Sequence, residues 1–262
     1  MIINFGVALC ISVTAQASAK KAPAKLESWT SLARKVGQSE SDTERENAIT
    51  ALKKIQDLSQ RLRVGLTTDD RPLALETISA LNLRGLIPEL LLKVPTDHDG
   101  FLTLAVNSMM DASNQDRILK FYANQLKPEK LSDVSTPTIV AILEPLGRLG
   151  TPLPRKALTA LASHRSPDVR SAAIYYFRMM GLRNGVLENL DLLTRFTSAS
   201  EYQLRLQAIS VIAELIGHEK TSTRIAKLPS RDDLGDLCLQ ERNTELKESC
   251  LFFLSTSVAV KR

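Results

Sequence analysis

SPDVRSAAIYYFRMMG, residues 166 to 181, sets a polar cap and a proline ahead of apolar residues at helical spacing. The Ser166 hydroxyl is placed to accept a hydrogen bond from a free N–H of the first turn. Pro167 takes the first helical position, where its missing N–H costs nothing. Val169, Ala172, Ala173, Tyr176, Phe177 and Met180 follow in steps of three and four, which places them on one face, and Gly181 suits a left-handed C-terminal cap. The small Ala172 and Ala173 leave room for a second helix to approach closely.

Working outward from this stretch, helices elsewhere align on Ala173 with Ala48, Thr77, Ala105, Ile142, Ala208 and Ser249 as counterparts, at spacings of 29, 28, 37, 31, 35 and 41. Such periods belong to arrays in which each helix pair is too small to bury its own apolar face. Four residues after the anchor stand Leu52, Leu81, Met109, Leu146, Phe177, Ile212 and Phe253, and the position next to it holds Ile49, Ile78, Val106, Leu143, Ile174, Ile209 and Cys250. Both columns read as core. Two residues after the anchor come Thr50, Ser79, Asn107, Glu144, Tyr175, Ser210 and Leu251, polar in most helices, which marks an exposed stripe.

Composition agrees with an all-α fold. Hydrophobic residues make up 44% of the 262 residues but aromatics only 5%, and Leu/Ala-rich segments of helical period outnumber alternating β-branched runs. Short breakers punctuate the chain at Gly37-Gln38-Ser39, Thr67 to Asp70, Asp97 to Gly100, Gly150-Thr151-Pro152 and Ser163 to Ser166. Together these signals predict about thirteen helices between Leu26 and Ser255, paired as antiparallel hairpins. The charge of +5, from 34 basic and 29 acidic residues, has no dense Lys/Arg block. It fits an ordinary solvated surface, and with so few aromatics a nucleic-acid partner is not expected.

Residues 2 to 15, IINFGVALCISVTA, form an apolar run, and Ala17-Ser18-Ala19 precede Lys20-Lys21. This resembles a secretory signal peptide over residues 1–19, cut after Ala19 or Ala17, although no Lys or Arg precedes the run. Leu9 before Cys10 is too large for a lipoprotein acylation site. Residues 20–25, KKAPAK, read as a short mobile leader, and residues 26–262 as a single domain. It opens with an amphipathic capping helix that puts Trp29, Leu32 and Val36 on one side. A membrane contact is expected only if the first 19 residues are retained.

Pro167-Asp168-Val169-Arg170 with Ala172-Ala173 resembles the opening of the second helix in HEAT repeats. Leu146-Gly147-Arg148-Leu149-Gly150-Thr151-Pro152 resembles its closing and the turn into the next unit. The resemblance covers roughly residues 40 to 257 and is strongest over 136 to 217, with degenerate units near Phe101 and Thr244. It implies a right-handed α-solenoid of about six to seven antiparallel helix pairs. It also implies that Arg170, and by position Arg45 and Arg205, pair with an acidic residue of a neighbouring unit. Since second helices of that family line the concave side, Ser171, Tyr175 and Arg178 are the candidate partner contacts, with Tyr175 the outlier of its column.

Signals for chemistry are weak. His98, His164 and His218 fall in separate loops away from any cysteine, so no metal-ligand spacing appears. Asp97-His98-Asp99-Gly100 lacks the ligand series of a calcium loop, and helix capping by Asp99 accounts for it. No phosphate-cradling loop, nucleophile elbow or paired-carboxylate motif stands out. Catalytic residues, cofactors and a small-molecule substrate are therefore not expected. Cys238 and Cys250, twelve positions apart, either bond in an exported chain and staple the last two helices, or leave Cys250 a buried thiol. The reading that follows is an exported, bacterial periplasmic or secreted, non-enzymatic scaffold for a protein partner. Two rivals are a HEAT-like enzyme or enzyme accessory, and a membrane-tethered assembly factor.

Overall fold

In helix α9 (Thr136–Arg148), Ser135 accepts the Thr138 N–H through its side chain and Pro137 occupies the first turn, so the start is fixed by local chemistry. Its end is a Schellman motif. The Thr151 N–H donates to the Leu146 carbonyl at 2.8 Å and the Gly150 N–H to that of Gly147 at 3.1 Å, with Gly150 in the left-handed region at φ 74°. Between these ends Ile139, Ile142, Leu143 and Leu146 are buried.

The computed structural model describes residues 24–184, 189–217 and 231–256. The expected signal peptide, the leader up to Pro23 and His218 lie outside them. Among the described residues there are fifteen α-helices and no strand. Fifteen exceeds the thirteen expected from the sequence because several helices are one or two turns long, too short for a 3.6-residue period to show. The chain divides into two compact units, residues 1–61 and 62–262, the division falling inside α3 (Leu58–Gly65).

In the first unit α1 (Ala24–Gln38) packs on α2 (Asp42–Lys53). Trp29, Ala33 and Val36, at steps of four and three, are buried on one side. Leu32 is only half-buried. Helix α1 ends at Gln38, within the breaker Gly37-Gln38-Ser39 read from the sequence. Ser41 caps α2 by accepting the Glu44 N–H, and the Glu44 carboxylate accepts from Ser39 Oγ at 2.8 Å.

The second unit continues with α4 (Arg71–Ala80), α5 (Ile87–Lys93), α6 (Phe101–Ser108), α7 (Gln115–Gln125), α8 (Pro128–Leu131) and α9. After these come α10 (Arg155–Ala162), α11 (Pro167–Asn184), α12 (Leu190–Arg195), α13 (Tyr202–Gly217), α14 (Arg231–Gln240) and α15 (Thr244–Thr256). Every second or third helix touches its successor: α4 packs on α6, α6 on α9, α9 on α11, α11 on α13 and α13 on α15. Helix α10 packs on α11 and α12, and α14 on α13 and α15. The two apolar columns supply this packing. Leu81, Met109, Leu146, Phe177 and Ile212 are all buried, as are Ile78, Val106, Leu143, Ile174, Ile209 and Cys250. Each such Leu, Ile or Phe contributes about 1.5–3 kcal/mol relative to an exposed one. The side chain of Phe253 lies outside the described ones.

Helix α11 does not stop at Gly181. It continues to Asn184 with Gly181 buried, because packing on both α9 and α13 outweighs the roughly 1 kcal/mol that glycine costs a helix. Helices α9 and α11 approach closely at Gly147. A Cβ at Gly147 would stand 3.2 Å from the Tyr176 Cα and 3.3 Å from the Met179 Cβ, so glycine lets the two helices meet without their neighbouring atoms shifting by a few tenths of an ångström. Tyr176 turns its hydroxyl into the following turn, donating to the Thr151 carbonyl and accepting the Leu153 N–H, each at 2.9 Å. Burial pushes that phenol up to about 12.

Candidate functional site

Successive helices of the second unit are joined across their polar stripe. Ser79 Oγ on α4 meets Ser108 Oγ on α6 at 2.5 Å, and Asn107 Nδ2 donates to the Ala141 carbonyl of α9 at 2.8 Å. From α11 to α13, Ser171 Oγ donates to Gln207 Oε1 at 2.8 Å while Gln207 Nε2 reaches the Ser171 carbonyl. Two turns on, Arg178 grips Glu214 with Nε and Nη2 at 2.5 and 2.7 Å, a bidentate fork.

Two of the three residues singled out as partner contacts, Ser171 and Arg178, therefore face α13. Tyr175 lies between them, half-buried and close enough to Arg178 to favour its charged form. The stripe is not the freely exposed surface expected from its polarity. Its side chains are mostly half-buried, because polar groups on adjacent helices satisfy one another.

The arginines at the helix starts share another arrangement. Arg170 Nη1 donates back to the carbonyls of His164 and Arg165 at 2.5 and 3.1 Å, and its Nη2 pairs with Glu201, just ahead of α13. Arg205 repeats this one helix on. Its Nη1 donates to the Ala199 and Ser200 carbonyls at 2.8 and 2.9 Å, and its Nε pairs with Glu241 at 2.8 Å, just ahead of α15. Each arginine thus ties its own loop to the loop that starts the next helix of the row. Arg45 makes the same backward contact, to the Ser39 carbonyl at 3.0 Å, but its acid is Asp42 of its own first turn.

Between α4 and α6 the equivalent hub is built around Asp97. Arg71 spans Asp97 and Asp99, at 2.7 and 2.5 Å, and the Asp97 side chain is wholly buried. Asp97 also accepts the Thr103 N–H and hydroxyl at 2.9 and 2.8 Å. Asp99 caps α6 by accepting the Phe101 N–H at 3.0 Å. Gly100 between them sits at φ 77°, with the Pro137 backbone 3.1 Å from where a Cβ would be. In the sequence Asp97 reads only as part of the Asp97-His98-Asp99-Gly100 loop, and its pairing is hidden because its arginine lies 26 residues away.

Three carboxylates of these hubs, Asp99, Glu201 and Glu241, titrate below their ordinary range. Burial pushes Asp99 up, but hydrogen bonds from Arg71 and the Phe101 N–H outweigh it. The Ser200 hydroxyl leads for Glu201, and the Arg205 hydrogen bond leads for Glu241. A depressed folded-state pKa gives stability that is complete above the unfolded value and is lost as pH falls through the folded one. The urea midpoint is therefore expected to be flat down to about pH 5 and to fall steeply below about pH 4. Arg205→Gln should flatten part of that slope; an acid slope unchanged by the substitution would contradict the assignment.

Cys238 on α14 and Cys250 on α15 are joined by a disulfide bond, with Cα atoms 5.6 Å apart and both residues fully buried. Of the histidines, His98 is exposed. His164 accepts the Ser166 N–H at Nδ1, and burial, then Arg165 and Arg170, hold its pKa below the usual value. Among the described residues no three His, Cys, Asp or Glu side chains are grouped to hold a metal ion, and no helix is long and apolar enough to cross a membrane. No family model, curated protein or solved structure matches the chain.

Proposed function

We propose that this is an exported, HEAT-like scaffold of the bacterial periplasm or exterior, which binds a protein partner without catalysing a reaction. In this reading the helices form a right-handed α-solenoid of about six to seven pairs, and the stripe around Tyr175 is its contact surface. The observation that carries the proposal is the row α4, α6, α9, α11, α13 and α15. Its members touch in chain order, and the α4–α6, α11–α13 and α13–α15 junctions are tied by arginine–carboxylate pairs, an arrangement that builds an extended surface rather than an enclosed cavity. Tyr175 is the large side chain of that stripe whose ring is not committed to a core column. An amphipathic aromatic beside a fixed guanidinium is the type of anchor that dominates binding energy.

The test is affinity capture from the native cell envelope with wild type, Tyr175→Ala and Leu92→Ala, the last being 77% exposed on α5. A protein retained by wild type and Leu92→Ala but weakened by more than about tenfold with Tyr175→Ala is the expected result. Identical captures by all three variants would remove the stripe from consideration. Arg178→Glu is the wrong probe, because it sets two carboxylates against each other at Glu214 and loosens α11 from α13. Mass spectrometry of the native protein tests export: a chain starting near Ser18 or Lys20 is expected. An intact Met1 in the membrane fraction would favour the tethered reading instead.

A further inference from the structure

Beneath the Arg170–Glu201 pair lies an open cavity of about 330 Å³, at the small end of the range for ligand sites. One wall is the end of α10, with Ala162 and Ser163; the other is the end of α12 and the turn after it, with Arg195, Phe196 and Ala199. Phe196 is buried, and with Ala162 and Ala199 it supplies the apolar part of the lining.

The charges around the cavity are unequally committed. Arg170 is spent on two carbonyls and Glu201, and Glu201 also accepts the Ser200 hydroxyl at 2.8 Å. Asp191, the carboxylate that feels Arg195, is already held by Arg155, with Nη1 to Oδ1 at 2.8 Å. Arg195 itself is exposed and makes no hydrogen bond or ion pair among the described residues. A guanidinium whose fork has no partner among the described residues, at the rim of a small, partly apolar cavity, matches a carboxylate carried on a short aliphatic group.

We infer that this cavity binds such a carboxylate, with Arg195 holding the two oxygens and Phe196 and the alanines covering the alkyl part. The Glu201 carboxylate in the same wall disfavours a dianion, so phosphate is not the ligand. Two sources carry this chemistry, the free C-terminus of a peptide and an internal acidic side chain. The site is separate from Tyr175, so its failure and that of the proposed scaffold role are distinguishable.

The experiment follows amide chemical shifts of the full chain on titration with three peptides and with inorganic phosphate. The peptides are acetyl-Ala-Ala-Ala as the free acid, its C-terminal amide, and acetyl-Ala-Glu-Ala amide. The free acid is expected to shift Ser163, Arg195 and Ala199 saturably and the plain amide is not. Arg195→Gln should weaken binding at least about tenfold, and Arg195→Lys less, since it keeps the charge without the fork. Binding of the free acid alone identifies a chain end, and equal binding of the glutamate peptide identifies any carboxylate; both uphold the site. No shift with either carboxylate, equal binding of the plain amide, indifference to Arg195→Gln, or a preference for phosphate would each overturn it.

Discussion

Asp97→Ala is expected to destabilise the second unit by about 3–5 kcal/mol, the cost of removing one member of a buried, hydrogen-bonded ion pair. The wild-type carboxylate collects four donors: Arg71 Nη2, the N–H groups of Leu102 and Thr103, and the Thr103 hydroxyl. Alanine leaves two N–H groups at the start of α6 without their acceptor, at a helix end whose dipole favours negative charge. The same residue's carbonyl accepts from Ser135 Oγ and Thr138 Oγ1 at the start of α9. A shift of this loop therefore disturbs three helices of the row. Asp99→Ala makes the control. Its side chain is 40% exposed, and its loss should cost the cap and a partly exposed ion pair with Arg71, about 1–2 kcal/mol in all. Urea denaturation of both variants decides the matter; an Asp97→Ala midpoint matching that of Asp99→Ala would show that the hub is not what holds α4, α6 and α9 together.

The contrast between these two aspartates shows where sequence reasoning stops. Asp99 was legible as a cap because capping is local, two residues from its donor. Asp97 looked like another loop acid because its burial depends on Arg71 and on the approach of α9, both distant in sequence. The same distinction runs through the fold. The columns around Ala173 were readable because a 3.6-residue period survives in any helix of three turns, whereas α8 and α12 are too short to carry one. Gly181 looks like a stop, yet packing of α11 on both neighbours carries the helix past it, whereas at the Gly37-Gln38-Ser39 breaker, where Gly37 is exposed, α1 does end.

At the candidate site, Arg170 and Arg205 were legible from their place in the helix, but Glu201 and Glu241 were not, since they sit 31 and 36 residues on. Ser171 and Arg178 looked solvent-facing because they are polar. The pairing with Gln207 and Glu214 becomes visible only when α11 and α13 are set side by side. The Arg195 cavity left no trace in the sequence, since the ends of two non-adjacent helices form it.

Reducing the Cys238–Cys250 bond is expected to cost about 3 kcal/mol and to do so locally. In the chain-entropy account a link closing a loop of this length restricts the unfolded ensemble by about that amount. The locality follows from the packing. Helix α15 touches α13 and α14, and α14 touches α13 and α15, so this terminal pair has neighbours on one side only among the described residues. Leu251 and Phe252 on α15 are exposed, leaving less apolar burial to hold the helix once the link is gone. The thiols themselves pack well, since a reduced cysteine is a small apolar group at home in the column that Ile174 and Ile209 fill upstream. Opening therefore raises fluctuation without forcing a rearrangement. Hydrogen exchange on the full chain, oxidised and reduced, should show amides of α14 and α15 losing protection while those of α9 and α11 keep theirs. Cys238→Ala/Cys250→Ala should reproduce the reduced pattern under oxidising conditions. Equal protection across the whole row in both redox states would mean that packing on α13 alone suffices and that the disulfide adds nothing to the terminal pair.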